Sequence, residues 1–443
     1  LKKSDIALWE YDDVMSQQRV FEHSYGKVKI RVYGGLNEIG GNCVVVEDED
    51  KKIVFDNGIR FSVLRRLYGG RIEPLGPLEL RSVGAIPPLE ALQGASAIYI
   101  SHLHLDHTGL LGSITPEVGI KIPSTRVLEN TLMSWYRKPG SWLAYVPPDY
   151  TAKIEEATSG KEDENRVIAL PVSHSCFPAY SFLYVGSDAT IFYSGDLRLE
   201  PLINISHRLD EVMRSVGVDK VDLALIEGTN FSADHTPATT STFRDYISLM
   251  LREYELVSVS IDPLDLEAFM AILDLSLLMG RNLVIGSERL LWVIEEVEKI
   301  MPEALDKIYV SEELEIPTPL LLRNISLANE VFKNPKSYVV AIEPVGLLQI
   351  FRKLKIIGET PDLTGSAVVL MDPEPRESIK EVEEGALRIW LKTFGIQALR
   401  LRLSGHYLPH QFRNIIETIK PKEIIPIHTE EASLMIKLFQ RFK

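Results

Sequence analysis

From Lys27 onward the chain breaks into short apolar runs separated by glycine: VKIRVYGG, then NCVVVED, then KKIVFDNG. Runs of this length, bounded by turn residues, predict β-strands joined as hairpins. Residues 1–27 are polar and charged without a clear period, which predicts an N-terminal arm or helical extension. From about Pro263 the texture changes to helix alternating with strand. Asp262 and Pro263 suit the N-cap and first turn of a helix over LDLEAFMAILDLSLLM, and Gly280 suits its stop. A strand NLVIG follows, then a helix from near Ser287, then a strand SYVVAIE at 337–343. Residues 206–390 therefore read as an α/β unit of their own, after which strand and helix patterns resume to the end. There is no internal repeat.

Five of the apolar runs end in a residue able to bind a metal. Ser96–Ser101 leads into His102-Leu103-His104-Leu105-Asp106-His107, Val167–Ser173 into His174, and Ala189–Gly195 into Asp196. Val221–Ile226 leads into Glu227, and Glu423–Ile427 into His428. Donors at strand ends stand on rigid elements yet face a loop edge, where a site is both pre-organised and accessible.

The block 102–107 carries most of this signal. With ten His in 443 residues, three at fixed places in six positions arise by chance in roughly one chain in two hundred. A packed core has no use for three imidazoles and a carboxylate together, because each needs its own polar partner. Metal chemistry does. Two divalent ions about 3.5–4 Å apart need roughly seven nitrogen and oxygen donors, one carboxylate bridging them, and such a pair lowers the pKa of a shared water to about 7. Mixed His and Asp donors suit Zn²⁺ first and Mn²⁺ second. The only cysteines, Cys43 and Cys176, are too few for a thiolate site or a disulfide framework.

Composition narrows the rest. Hydrophobic residues make up 45% and charged residues 25%, ordinary for a globular protein of two or three domains. Lys plus Arg is 48 against 62 Asp plus Glu, a formal net charge of −14. A global basic field is excluded, so any polyanion must meet a local patch. No apolar run approaches the roughly 18–20 residues of a membrane span and no signal-peptide pattern opens the chain, so it reads as cytosolic, with no membrane partner. The glycine pairs at 34–35 and 40–41 lack the Lys-Ser/Thr of a phosphate loop and read as tight turns.

The string HLHLDH with His174, Asp196 and His428 resembles the metallo-β-lactamase superfamily, an αββα sandwich with metals at one edge between two sheets. The resemblance implies that His102, His104 and His174 hold one ion, that Asp106, His107 and His428 hold the other, and that Asp196 bridges. Asp56 in IVFDNG is similar to the carboxylate that orients those histidines from behind. Glu227 in LIEGTN, His406 in RLSGHY and His428 in IPIHTE resemble the extra motifs of the β-CASP nucleases, in which a second α/β domain is inserted into the sandwich. The fold class implied is α/β: a metallo-β-lactamase sandwich over 28–205 and 391–443 with a β-CASP insertion at 206–390. A histidine at 428 is the RNA-processing variant of the last motif. GGLNEIGGNC at 34–43 and IPIHTE are most similar to the RNase J branch, especially its archaeal members. Tyr407, where alanine is usual, and Thr429, where many bacterial members have glycine, are departures.

The resemblance implies a two-metal ribonuclease acting on single-stranded RNA, 5′→3′ exonucleolytic and favouring 5′-monophosphate ends, with a homodimer compatible with it. An endoribonuclease of the cleavage-factor type is the alternative, and a small ester or thioester hydrolase a more distant one. A scaffold that has lost its chemistry does not fit a chain that keeps every donor. His406 suits a general acid that protonates the departing ribose oxygen, with Glu227 holding it. Ser404, Gly405 and Thr229 are candidate phosphate contacts. Arg65 and Arg66, with Arg60 and Arg71, form the densest basic stretch near the motifs. His23, His207, His235 and His410 belong to no motif.

Overall fold

Along Val28–Val32 residues alternate between fully and partly buried, the signature of a strand with one face on a core. A computed structural model describes residues 20–49, 51–115, 117–138, 141–146, 153–218, 221–232, 236–314, 322–359, 361–371 and 378–443. It divides into two units. The first takes the chain to Pro201, then Ser206–Thr236 and Gly405–Lys443, and the second Leu202–Ile205 and Pro237–Ser404.

In chain order the first unit opens with β1 (Phe21–Tyr25), β2 (Val28–Gly34), β3 (Cys43–Asp48), β4 (Lys51–Phe55), β5 (Ala97–Tyr99), β6 (Gly119–Ile122) and β7 (Ile154–Glu156). These form one seven-stranded sheet in sequence order, antiparallel through β4 and parallel from there to β7. Next come β8 (Val167–Val172), β9 (Ala179–Val185), β10 (Thr190–Tyr193) and β11 (Leu223–Glu227). The second unit supplies β12 (Val257–Ser260), β13 (Asn282–Ile285), β14 (Ile308–Ser311), β15 (Arg323–Ile325), β16 (Tyr338–Ala341), β17 (Ser366–Leu370) and β18 (Ile396–Arg400). The last strand, β19 (Glu423–Ile427), returns to the first unit as the edge of a sheet ordered β19-β11-β10-β9-β8. Pro426 is tolerated there because an edge strand leaves one side unpaired.

The two sheets of the first unit share one core. Val32, Val46, Phe55 and Tyr99 from the first sheet cluster with Phe182, Tyr193, Leu225 and Ile427 from the second. The second sheet's other face buries Leu170, Phe192, Ala224 and Ile424 with Val212, Phe412, Ile416 and Met435 of the helices Leu209–Val216, Phe412–Ile419 and Ala432–Phe442. Helix Thr125–Asn130 lies against β7 of the first sheet. The result is a layered sandwich with helices outside and two sheets within.

The second unit is a parallel sheet ordered β15-β14-β13-β16-β12-β17-β18. Its helix Leu266–Leu278 is buried nearly all round, and Gly280, at φ 71, ends it as the sequence predicts. Its start is corrected. Asp265, not Asp262, is the N-cap, accepting from Ala268 N at 2.9 Å. The Asp262 side chain accepts from Leu264 N at 2.9 Å and closes the preceding turn. Two aspartates three residues apart both have capping chemistry, and the Pro263 turn uses up the first. The units also differ from the spans read from sequence. Residues 206–236 stay with the first unit because β11 pairs with β10 and β19, while β18 pairs with β17 and keeps 391–404 in the second. Residues 21–25, read as part of an arm, are a strand paired with β2. Among the described residues no helix is long and apolar enough to cross a membrane.

Phe55 is fully buried and stacks on Tyr193 at 5.1 Å and Phe182 at 5.4 Å between ring centroids, so it joins the two sheets directly. Phe55→Ala should destabilise the first unit by about 3–5 kcal/mol. Denaturant titration followed by near-ultraviolet circular dichroism checks this, and an unchanged midpoint would mean the sheets do not depend on that contact.

Candidate metal centre

Because β8 runs the same way as β10, β11 and β19, His174, Asp196, Glu227 and His428 emerge along a single edge of the second sheet. Asp56 follows β4, and His102 to His107 follow β5, in the first sheet. All five runs singled out in the sequence form strands, four in the second sheet and one in the first, and their donor atoms meet.

The histidines are oriented from behind. The fully buried Asp56 carboxylate accepts from Ser101 N at 2.7 Å, Ser101 Oγ at 2.8 Å and Tyr193 Oη at 2.6 Å. It also accepts from His107 Nδ1 at 2.7 Å. Asn42 Nδ2 donates to the Tyr193 oxygen at 3.1 Å. With its own proton spent on Asp56, the Ser101 hydroxyl can only accept from His102 Nδ1, 3.0 Å away. His174 Nδ1 donates to the Gly405 carbonyl at 2.8 Å. A Cβ at 405 would stand 2.2 Å from Ser175 Oγ and 2.8 Å from His174 Nδ1, so only glycine allows this approach. In His102, His107 and His174 the Nδ1 proton is thus tied down and Nε2 faces forward, where a cation would take its lone pair.

In front lies Asp196. Its Oδ2 is 3.1 Å from His107 Nε2, 3.6 Å from His428 Nε2, and 3.8 Å from His102 Nε2, His174 Nε2 and His406 Nδ1. His428 Nε2 is also 3.3 Å from Asp106 Oδ2. Burial, then the neighbouring His107, His174 and His104, hold His102 well below the usual imidazole range. Burial does the same for His174. For Asp196 burial works the other way, yet His107, His428 and His406 together keep its carboxyl well below the ordinary value. His107 is pushed well above its ordinary value, because Asp196 and Asp56 outweigh burial. A cation at Nε2 would satisfy the same two carboxylates.

These residues fit a divalent cation. The donor atoms of His102, His104 and His174 lie within 4.8 Å of one another, as do those of Asp106, His107 and His428, and of His102, His107 and Asp196. His102 Nε2, His107 Nε2 and Asp196 Oδ1 are buried with no hydrogen-bond partner among the described residues. Buried polar atoms are rarely left so, and residues whose donor atoms gather this closely have the chemistry of ligands.

Beside them, Glu227 is fully buried and its Oε1 is 3.2 Å from Nδ1 of His406, whose side chain is 16% exposed. The departure at Tyr407 has a structural account: its hydroxyl donates to the Glu227 carbonyl and its ring packs near Phe231 and Phe412. Thr229, expected at a phosphate, has its hydroxyl committed instead, 3.0 Å from Glu227 Oε2 and 2.8 Å from His428 Nδ1. Arg60 is likewise engaged, by Glu38 at 2.8 Å and the Gly84 carbonyl at 3.2 Å. Arg65 and Arg66 sit at the end of the helix Phe61–Tyr68, with no ion pair among the described residues. Ser404 closes the second unit, and Gly405 opens the return of the first. Gly34 ends β2, and Gly35, Gly40 and Gly41 lie in the β2–β3 connection, which packs against the site through Asn42 N to the Asp106 carbonyl at 3.1 Å and His428 N to the Gly35 carbonyl at 2.7 Å. His23 pairs with Glu423 at 3.1 Å, and His235 lies outside the described residues. Ser101, Tyr193 and Asn42 were not singled out in the sequence. The adjacency of Ser101 to the histidine block was the only available signal.

A histidine and aspartate cluster at one edge of a two-sheet sandwich defines a class. Residues 36–260 match the metallo-beta-lactamase superfamily, and the chain belongs to it. Over nearly its whole length it is also similar to proteins named Ribonuclease J. It is 24% identical over 430 residues to that of Pyrococcus abyssi, covering 91% of this chain and 90% of the relative. It is 22% identical over 435 residues to that of Methanocaldococcus jannaschii, covering 91% of each. With that of Mycobacterium tuberculosis the identity is 21% over 421 residues, 91% of this chain and 69% of the relative. Among solved structures, a protein of unknown function from Enterococcus faecalis V583 shares the fold, with a TM-score of 0.65 at 20% identity over 92% of this chain and 95% of that one.

Two substitutions separate ligation from support. His104→Ala removes a donor from a partly exposed position, and should lower metal content while changing stability by no more than about 0.5 kcal/mol. Asp56→Ala strands the Ser101 amide, the Tyr193 hydroxyl and His107 Nδ1–H, at about 1–3 kcal/mol for each buried donor left unpaired. Elemental analysis beside thermal melts distinguishes them, and equal stability losses would contradict this division.

Proposed function

We propose that the chain is a metal-dependent ribonuclease that hydrolyses phosphodiester bonds of single-stranded RNA, 5′→3′ and with preference for 5′-monophosphate ends. The observation that carries it is the proton donor beside the donor cluster: His406, held by Glu227, stands 3.8 Å from the Asp196 oxygen that the other imidazoles surround. The similarity to proteins named Ribonuclease J supports RNA as the substrate. His102, His104 and His174 would hold one ion and Asp106, His107 and His428 the other, with Asp196 shared. Two divalent ions there would supply hydroxide at neutral pH and neutralise charge on the phosphoryl oxygens. Zn²⁺ fits donors that include imidazole and no thiolate, with Mn²⁺ as the second choice.

The chain's own residues do the remaining work. Asp56 and Ser101 keep His102 and His107 facing forward, and the Gly405 carbonyl does so for His174. His406 gives its proton to the ribose oxygen as the P–O bond breaks, and Glu227 keeps the ring in place. Arg65, Arg66, Ser404 and Gly405 are the proposed phosphate contacts, through which a polyanion is met despite the net charge of −14.

One experiment tests both the reaction and its direction. Single-stranded RNA labelled at either end, bearing a 5′-monophosphate or a 5′-triphosphate, is compared with a circle of the same sequence. Rapid release of mononucleotides from the monophosphate, slower decay of the triphosphate and an intact circle are expected. His406→Ala should slow the reaction roughly 10²–10⁴-fold with metal content unchanged. A cut circle would overturn the exonuclease assignment, and no hydrolysis of any of the three would overturn the nuclease.

A further inference from the structure

We propose that Thr229 is a positioning residue that joins the proton donor to the metal ligand His428, so that the two act as one unit. For the role of His406 this rests on the nuclease reading; for His428 it rests on geometry alone. Glu227 Oε2 lies 2.9 Å from Thr229 N and 3.0 Å from Thr229 Oγ1. A carboxylate oxygen accepts, so the single hydroxyl proton of Thr229 points at Glu227. The hydroxyl oxygen then has only lone pairs to offer His428 Nδ1, 2.8 Å away. Nδ1 must therefore carry a proton, and Nε2 is turned to the cluster, 3.3 Å from Asp106 Oδ2 and 3.6 Å from Asp196 Oδ2, where a bound cation would take its lone pair.

The other carboxylate oxygen of Glu227 receives His406 Nδ1 at 3.2 Å. A continuous chain thus runs His406, Glu227, Thr229, His428, with the Nδ1 protons and the Thr229 hydroxyl proton assigned by what each neighbour can accept. Ser101 does the same on the opposite side, donating to Asp56 and accepting from His102. His102 and His428 are thus each steered by one buried carboxylate working through one hydroxyl. A threonine adds χ1 stiffness to that role. His428 has φ 52, a left-handed backbone that a non-glycine residue adopts at a cost, so the ring needs support beyond its own main chain.

Thr229→Val keeps the shape and removes the oxygen. His428 then loses its Nδ1 acceptor and Glu227 loses one of its donors, so metal binding and proton donation should fail together. A threonine that merely touched RNA would raise KM alone. The test uses the full chain as wild type, Thr229→Val and Thr229→Ser. Zinc affinity is measured by competition with a chromophoric chelator, then kcat and KM on 5′-monophosphate RNA at saturating zinc. Thr229→Val should bind one of its zinc ions roughly 10–100-fold more weakly. Its kcat should fall by roughly tenfold or more with KM little changed. Thr229→Ser, which keeps the hydroxyl, should return both towards wild type. The proposal is overturned if valine leaves zinc affinity and kcat unchanged, if it raises KM alone, or if serine is no better than valine. Should valine unfold the chain, Thr229→Ala compared with Thr229→Ser supplies the same contrast. A wild type that binds zinc but cuts no RNA would sink the nuclease reading, while the zinc measurement still decides whether Thr229 steers His428.

Discussion

One carboxylate organises this molecule. Asp196, with a side chain 3% exposed, brings a single oxygen to within 3.1–3.8 Å of five imidazoles carried by four separate segments of chain. Gathering that many polar rings out of water is unfavourable unless each has a partner. The negative charge at the centre meets part of that need, and the strands behind it hold the rings too firmly to disperse. Phe55, Phe182 and Tyr193 stack between the two sheets directly below. Tyr193 then continues into the site, where its hydroxyl meets Asp56. The core and the cluster are one structure, joined through that ring.

The support around Asp196 follows a repeated logic. Carboxylates, carbonyls and hydroxyls whose own protons are already used take the Nδ1 protons, and the Nε2 atoms are left facing inward. Asp56 and His428 both sit at positive φ, 62 and 52. Backbone of this kind costs on the order of 1–3 kcal/mol at each residue and persists only where the surroundings over-determine it. Here the surroundings are four bonds to one carboxylate for Asp56. For His428 they are a main-chain bond to Gly35 and a side-chain bond to Thr229.

Much of this was legible in the sequence because strand ends and metal donors leave local marks. An apolar run followed at once by His, Asp or Glu is visible in one dimension, and the five such runs all became strands whose donor atoms meet. What stayed hidden depends on distance or on shared chemistry. Nothing near Tyr193 or Asn42 announces a partner more than a hundred residues away, and the Gly405 carbonyl is a main-chain group that every residue possesses. The partners of Thr229 and Arg60 were hidden for a different reason. A hydroxyl or a guanidinium suits a phosphate and a buried carboxylate equally well, and only the fold decides which is near. The same holds for Asp262 and Asp265, two equivalent caps of which the Pro263 turn takes one.

The central claim is that Asp196 is shared between two ions, and a metal titration tests it most directly. Wild type and Asp196→Asn, both stripped with chelator, are titrated with zinc by calorimetry at matched concentration. Two ions should bind to wild type, and no more than one at comparable affinity to the variant, because an amide cannot bridge two cations as a carboxylate does. An Asn variant that takes up two zinc ions with unchanged affinity would contradict the account.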